Sequence, residues 1–476
     1  MSWKIKKSLQ KVLERENGAV TKDWGGKITI ALVYPNSYRV GMGNLAIHSL
    51  YNTINSKEEF LCERFFLPEK QTLSEYKKTN TPLLSLENQR ALYEFDVIAF
   101  SASFENDYTN ILPILQLGKI EPLRSQRDEN TPLLIVGGDA PTINPKTVSD
   151  IFDAIFVGEA ESGLETLLET FIDGKDKRER IDLLERLEFI YTSEKDVASI
   201  KRSVTKDLND HLTQTSIYSA NAHFGDMHLI ETMRGCPRQC KFCCTPTIFQ
   251  PVRYRSFEAV KRMIDIGAKE RKKFGLIGAD LGGHPAFDEI VDYIHSKGFS
   301  FSPSSLRVDA IDERMAEHLK RSRISSVSLG IEAGNEAQRK RIGKPIAEER
   351  IIKAVEHLKT AGINHLRLYF MIGLPDETRE NISSIASLTL AIAKTFDRNI
   401  DLTITTFVPK PTTPWADMPF VDLDYYKEAK KAITEMLKKS KTINTRFEPY
   451  QNAKLEYTLS HGTHETIKLL QEIDKI

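Results

Sequence analysis

The feature that most constrains this chain is an alternation. Short apolar runs rich in β-branched residues, bounded by glycine, proline or serine, take turns with amphipathic stretches of helical period. The runs at 27–35, around 60–67, and at 95–101, 133–138 and 153–158 read as buried strands, because a strand covered on both faces is apolar without interruption. Helical stretches at 44–55, 108–117 and 161–172 lie between and after them. Such alternation predicts a doubly wound parallel sheet, whose ligands bind outside the carboxyl ends of the strands. A stretch at about 175–225, charged and then polar, interrupts it. The alternation resumes with strands at 228–233, 274–278, 300–307, 325–332, 365–373 and 401–407, and helices at 257–273, 286–297, 312–321, 348–361 and 379–395. Six βα units suit a partial (β/α)6 barrel better than a full ring of eight. The expected class is α/β: a Rossmann-like sheet, a partial TIM-type barrel and a small helical tail with helices at 425–439 and 463–474. The expected boundaries are 1–26 for an N-terminal helix, 27–190 for the sheet domain, 191–225 for a linker, 226–420 for the barrel and 421–476 for the tail.

Composition narrows the partners. Basic and acidic residues number 66 each, so the net charge is zero and a broad nucleic-acid-binding field is not indicated. No apolar run reaches the roughly 18 residues of a membrane span. The start, Met1-Ser-Trp-Lys-Ile-Lys-Lys, lacks the apolar centre of a signal peptide. The chain has five cysteines, four of them within nine residues, a usage that suits a reducing cytoplasm.

Those four lie in and just after Arg234-Gly-Cys-Pro-Arg-Gln-Cys-Lys-Phe-Cys243, where Cys236, Cys240 and Cys243 stand at C-x3-C-x2-C spacing. Crowded thiols mean a metal site, a disulfide staple or chance. Disulfides concentrate in small secreted domains, which this chain is not. Structural zinc takes four closed ligands, usually as two separated pairs, and the fifth cysteine, Cys62, is distant and alone. Three thiolates on one short loop suit an iron–sulfur cluster that normally takes four, leaving one iron open. Cys244 reads as a small buried hydrophobe.

At these residues the chain resembles the radical S-adenosylmethionine enzymes, whose signature is this spacing with an aromatic, here Phe242, before the third cysteine. The resemblance implies a [4Fe-4S] cluster on Cys236, Cys240 and Cys243, S-adenosylmethionine on the open iron, and an external one-electron donor of flavodoxin or ferredoxin type. It implies reductive cleavage to methionine and a 5′-deoxyadenosyl radical. By position, the family's acidic motif after the second strand becomes Gly278-Ala-Asp280, with Asp280 placed for the methionine amine. Ser305 and Arg307 are placed for the ribose and the carboxylate, which a guanidinium fork matches. Glu332 is placed for ribose hydroxyls or substrate, and Gly373, in Ile372-Gly-Leu-Pro375, for the adenine. Arg253, Arg255 and His284 are further residues that the resemblance turns toward the active site or toward structural hydrogen bonds.

The N-terminal half resembles the cobalamin-binding domain that precedes the radical domain in one large subclass. The match rests on Val136-Gly-Gly-Asp-Ala-Pro-Thr-Ile-Asn-Pro145 and Phe152-Asp-Ala-Ile-Phe-Val-Gly-Glu-Ala-Glu161. It makes Tyr38, Ser101, Gly137 and Gly138 candidate cobalamin contacts. The chain departs from the pattern at Asn36-Ser-Tyr-Arg-Val-Gly41, where Tyr38 stands in place of the axial histidine. His48 falls inside the next helix and reads as a packing residue. The expected function is a radical enzyme, cobalamin-dependent, for methylation or C–C bond formation. The alternatives are a cobalamin-free enzyme modifying RNA or protein in the manner of methylthiotransferases, and a non-catalytic metal-binding protein. No second cysteine triad is present to hold the auxiliary cluster of sulfur insertion.

Overall fold

The computed structural model describes residues 2–474 and divides into two compact units. One holds the chain up to Asp226 together with the residues from Leu459 onward; the other is Met227–Thr458.

The first unit is built on strands β1 (Ile28–Tyr34), β2 (Phe60–Phe66), β3 (Val97–Ser101), β4 (Leu133–Gly137), β5 (Ala154–Phe156) and β6 (Ile190–Tyr191), in spatial order 2-1-3-4-5-6. Five are parallel and β6 runs antiparallel to β5. The interior strands are apolar throughout because both faces are covered: Ile30, Ala31, Leu32 and Val33 are all buried. Helix α1 (Leu45–Asn55) starts where the Asn44 side chain accepts from the Ala46 amide at 2.8 Å. The order 2-1-3 puts the topological switch between β1 and β3, and a ligand crevice opens at such a point.

Two findings depart from the sequence reading. The N-terminal helix spans Trp3–Leu13, and Glu16–Asn17 is extended, paired antiparallel with Tyr218–Ser219. Residues 191–225, expected as a linker, lie within this first unit. Ile190–Tyr191 supplies its sixth strand, where 27–190 was expected to carry five.

The second unit continues with β7 (His228–Glu231), β8 (Lys273–Ile277), β9 (Ser300–Pro303), β10 (Ser326–Glu332), β11 (His365–Ile372), β12 (Asn399–Thr406) and β13 (Ile443–Phe447). The ladders among these seven strands are parallel and join neighbours in sequence, while Met233–Arg234 pairs antiparallel with Arg253–Tyr254. A single bridge, Leu306 to Leu329, connects the three-stranded and four-stranded portions. Among the described residues no ladder joins β13 to β7, so the barrel is open. Helices α2 (Phe257–Gly267), α3 (Phe287–Ser296), α4 (Glu313–Arg321), α5 (Glu348–Thr360), α6 (Arg379–Phe396) and α7 (Leu423–Leu437) pack around it. Three of their starts are capped by side chains: Ser256 accepts from Ala259, Asp312 from Met315, and Thr378 with Asn381 forms a reciprocal box. Strand β13 was not expected, since residues 421–476 read as helices. It is an edge strand, Ile443-Asn-Thr-Arg-Phe447, that buries no residue fully, so it lacks the continuous apolar run that marks interior strands. No helix of the described residues is long and apolar enough to cross a membrane.

Candidate functional site

The cysteine loop leaves the carboxyl end of β7, the end at which barrel chemistry is placed. A compact ionic group fixes its root. Arg234 grips Glu231 with both arms, Nε to Oε1 and Nη2 to Oε2 at 2.9 Å each, and Arg255 Nη2 donates to the same carboxylate at 2.8 Å. Gly235 has φ of +81°, and a Cβ there would lie 2.5 Å from the Phe249 carbonyl, so glycine is required for the turn. Arg253 donates to the carbonyls of Pro251 and Phe249, and a ring nitrogen of His284 bonds the Thr232 carbonyl at 3.2 Å. Arg253, Arg255 and His284 thus brace the loop.

The loop is held at its far end as well. The Lys241 amide donates to the Ile342 carbonyl at 2.9 Å, and the Cys240 thiol lies 3.8 Å from the Gly343 carbonyl. Gly343 is left-handed at +81°, with Gln239 carbonyl oxygen 2.6 Å from where its Cβ would stand. Phe242 packs on an apolar patch of Ala333, Ile342, Met371, Leu374, Phe407 and Trp415. The aromatic before the third cysteine therefore ties the loop to segments that follow β10, β11 and β12.

The three thiols are free and half-buried. Burial raises the Cys240 thiol above its ordinary range, against the pull of the Lys344 and Arg307 cations. Burial likewise raises Cys236, with Asp280, Cys243 and Cys240 adding to the rise.

Around the triad stand charged groups that the sequence assigned by position. Asp280 is 2% exposed; its Oδ2 accepts from Arg238 Nε at 3.0 Å, and its Oδ1 has no partner. Arg307 donates through Nε and Nη2 to Asp309 at 3.0 and 2.9 Å and acts on the charges of Cys240 and Asp280. Glu332 ends β10 at a register shift and has φ of +72°, uncommon outside glycine. Its Oε1 accepts from Lys344 Nζ at 3.0 Å, and the same ammonium donates to the Gly330 carbonyl at 2.6 Å. Gly373, at φ of +82°, donates its amide to Glu377 Oε2 at 2.6 Å, and Tyr425 donates to the same carboxylate oxygen. Burial lifts the Glu377 carboxyl to about 7, against the hydrogen bonds from Tyr425 and the Gly373 and Leu374 amides. Ser305 is exposed on the loop after β9. Cys244 is half-buried, and its carbonyl accepts from Thr247 and Ile248.

Arg238, Lys344, Asp309 and Glu377 were not singled out from sequence. Arg238 sits between two of the cysteines and Glu377 within the segment around Gly373, so position in those motifs was the available signal. Lys344 had none, since its role depends on the turn at Gly343.

In the first unit Gly137 and Gly138 stand at the carboxyl end of β4, beside β3 and one strand beyond the switch. Ser101 pairs in register with Gly137. Gly138 has φ of +116°, and a Cβ there would lie 2.4 Å from the Ala102 carbonyl. Asn36 donates to Asp107 and Asn44 to Ser103 along the same edge. Tyr38 does not join them. Its hydroxyl donates to Glu16 Oε1 at 2.5 Å, inside a fully buried group in which Arg64 pairs with Glu16 and Glu87. His48 is buried and lowered to about 4, chiefly by burial, with Nε2 on the Met42 carbonyl at 3.1 Å. It is a packing residue, as the sequence suggested.

Residues 230–389 match the family model of the radical SAM superfamily, and residues 46–192 that of the N-terminal region of radical SAM proteins. The chain is a radical S-adenosylmethionine protein. An uncharacterised protein of Methanocaldococcus jannaschii is 28% identical over 446 residues, 93% of this chain and 90% of that one. An uncharacterised methyltransferase of Pyrococcus horikoshii is 26% identical over 283 residues, 56% of this chain and 58% of the relative. Among solved structures, the cobalamin-dependent S-adenosylmethionine radical enzyme OxsB, with aqua-cobalamin and S-adenosylmethionine bound, superposes with a TM-score of 0.52 at 16% identity. That match covers 94% of this chain but 62% of OxsB, and at this identity it shows the fold alone.

Proposed function

We propose that this radical S-adenosylmethionine enzyme is cobalamin-dependent and methylates, or joins, carbon centres. The observation that carries the cobalamin reading is the switch point of the first unit. By the general rule a strand order of 2-1-3 places a ligand beside the carboxyl end of β3, and Gly137 and Gly138 leave the adjoining end of β4 without side chains. Gly138 in particular tolerates no Cβ. The name of the Pyrococcus relative supports methyl transfer. Because the Tyr38 hydroxyl is committed to Glu16, Tyr38 would not serve as a ligand to cobalamin, which the residues at the carboxyl ends of β3 and β4 would hold.

In the second unit Cys236, Cys240 and Cys243 hold the [4Fe-4S] cluster. With S-adenosylmethionine bound, the cluster supplies one electron for sulfonium cleavage to a 5′-deoxyadenosyl radical. Asp280 Oδ1, buried and without a partner, accepts from the methionine ammonium, and Arg238 holds Oδ2 so that the carboxylate keeps its aim. Arg307, oriented by Asp309, offers its remaining N–H to the carboxylate. Glu332, fixed by Lys344, accepts from the ribose hydroxyls. Gly373, its amide anchored by Glu377, lets the adenine approach backbone.

The test is anaerobic reconstitution with iron and sulfide, with and without hydroxocobalamin, followed by spectra of the desalted protein and by product analysis after dithionite reduction. A cluster band, retained corrin absorbance lost in Gly138→Val, and 5′-deoxyadenosine are expected. A cluster without retained corrin would replace this reading by a cobalamin-free radical enzyme. A cluster that cleaves no S-adenosylmethionine would leave a non-catalytic metal protein.

A further inference from the structure

Away from the cysteine loop, the second unit gathers Asp292, His295 and His318, one ligand atom from each within 4.8 Å of the others. Asp292 and His295 are three apart on α3, so they face the same side, and His318 reaches across from α4. The helices of a βα barrel run against its strands. The carboxyl end of α3 therefore lies at the amino ends of the strands, opposite the end that carries the cysteine loop. Ser322 confirms the placement by accepting from the amide of Phe301 at the start of β9.

Both imidazoles are anchored through Nε2, His318 by a carboxylate and His295 by a hydroxyl. His318 directs Nε2 at Asp288 Oδ1 at 3.1 Å, and His295 directs Nε2 at Ser322 Oγ at 2.8 Å. Each Nδ1 is buried and has no hydrogen-bond partner. His318 is 6% exposed, so its Nδ1 is an orphaned acceptor in the protein interior, and such groups are rare without a ligand. A carboxylate on one ring nitrogen with the other left open, as in His318, is the arrangement that orients metal-binding histidines. Asp292 is exposed, and its Oδ1 is held by Arg321 Nη1 at 2.9 Å, which leaves Oδ2.

We propose that Asp292, His295 and His318 form a divalent-metal site on the helical flank of the barrel, taking a first-row transition cation of the zinc class. Two imidazoles and one carboxylate are the borderline donors that zinc and cobalt(II) prefer, and hard oxygen-seeking cations do not. Binding draws the three ligand atoms in to about 3.4 Å from one another, as bonds of about 2.0–2.1 Å require. One or more positions are left for water, and the metal ties α3 to α4. Arg321 competes for Asp292 and repels the cation.

The test uses the full chain with Cys236, Cys240 and Cys243 changed to alanine, because those thiols compete for the same ions. Cluster-loaded wild-type protein is titrated in parallel with zinc chloride by calorimetry. We expect one saturable equivalent of zinc in both. Cobalt(II) should give visible d–d absorption without the thiolate charge-transfer bands that cysteine ligation produces. Asp292→Asn, at an exposed position, and His318→Gln should each weaken binding by at least about tenfold, the lower bound set by outer-sphere changes alone. Arg321→Gln should tighten it. The absence of saturable binding, or binding unchanged by Asp292→Asn and His318→Gln, would overturn the site.

Discussion

Replacing Arg64 by methionine tests the most consequential packing decision in the first unit. The guanidinium is fully buried, and so are both partner carboxylates. It meets Glu16 at 2.6 and 2.9 Å, Glu87 at 2.7 Å, and the face of Tyr51 at 4.8 Å. Methionine fills the volume of the stem but leaves two carboxylates with no cation. Breaking a buried ion pair from one side costs about 3–5 kcal/mol, because the remaining charge stays desolvated. For a unit of this size each kcal/mol moves the midpoint by about 2–4 °C, so the calorimetric transition of the first unit should fall by roughly 6–20 °C. Amides of β1 and β2 should exchange faster in step. The triple change Glu16→Gln, Arg64→Met, Glu87→Gln should recover more than half of the loss, since an intact buried triad adds little over neutral groups of like shape. A single variant within about 1 kcal/mol of the parent would refute the reasoning, and so would a triple variant no better than the single. Tyr38→Phe removes one hydrogen bond to a charged acceptor from this group, worth about 1.5–3 kcal/mol. It should leave corrin retention unchanged.

Other outcomes follow from the second unit. Asp280→Asn should weaken S-adenosylmethionine binding by about ten- to a hundredfold, the range of one charge-assisted hydrogen bond, while cluster content stays level; equal binding would remove Asp280 from the site. Gly343→Ala forces a left-handed alanine against the Gln239 carbonyl 2.6 Å away, so reconstituted iron per chain should drop, and full iron loading would show that this turn does not hold Cys240. Glu377 titrates at about 7 in the folded chain against 4.5 unfolded, so the folded state binds the extra proton between those values. Its contribution is complete below about pH 4.5 and is lost as pH rises through about 7. For this largely buried group the shift amounts to at most about 3 kcal/mol. Glu377→Gln should flatten the melting midpoint between pH 5 and 8, and parallel profiles for parent and variant would argue against the raised carboxyl.

The site was legible wherever a motif is local. The spacing of Cys236, Cys240 and Cys243 and the aromatic at Phe242 are properties of one short stretch. The same holds for the cap at Ser256, whose bond spans only three residues. Interior strands announced themselves because burial on both faces demands an unbroken apolar run, and their spacing defined two successive βα arrays. Sequence alone thus determined the interior strands, most of the helices between them and the loop that can hold a cluster. Only the tertiary structure decided the direction of Tyr38, because its partner Glu16 lies in an extended segment that pairs with Tyr218–Ser219, some 200 residues on. It decided that Ile443–Phe447 is a strand, since an edge strand with polar alternate residues gains its order from one neighbouring ladder rather than from its own pattern. It decided that His295 and His318 converge, because two helices separated by a strand meet only when the barrel curves. Local order follows from period and propensity; convergence of side chains distant in sequence follows from topology, which a pattern of apolar residues specifies only in the aggregate.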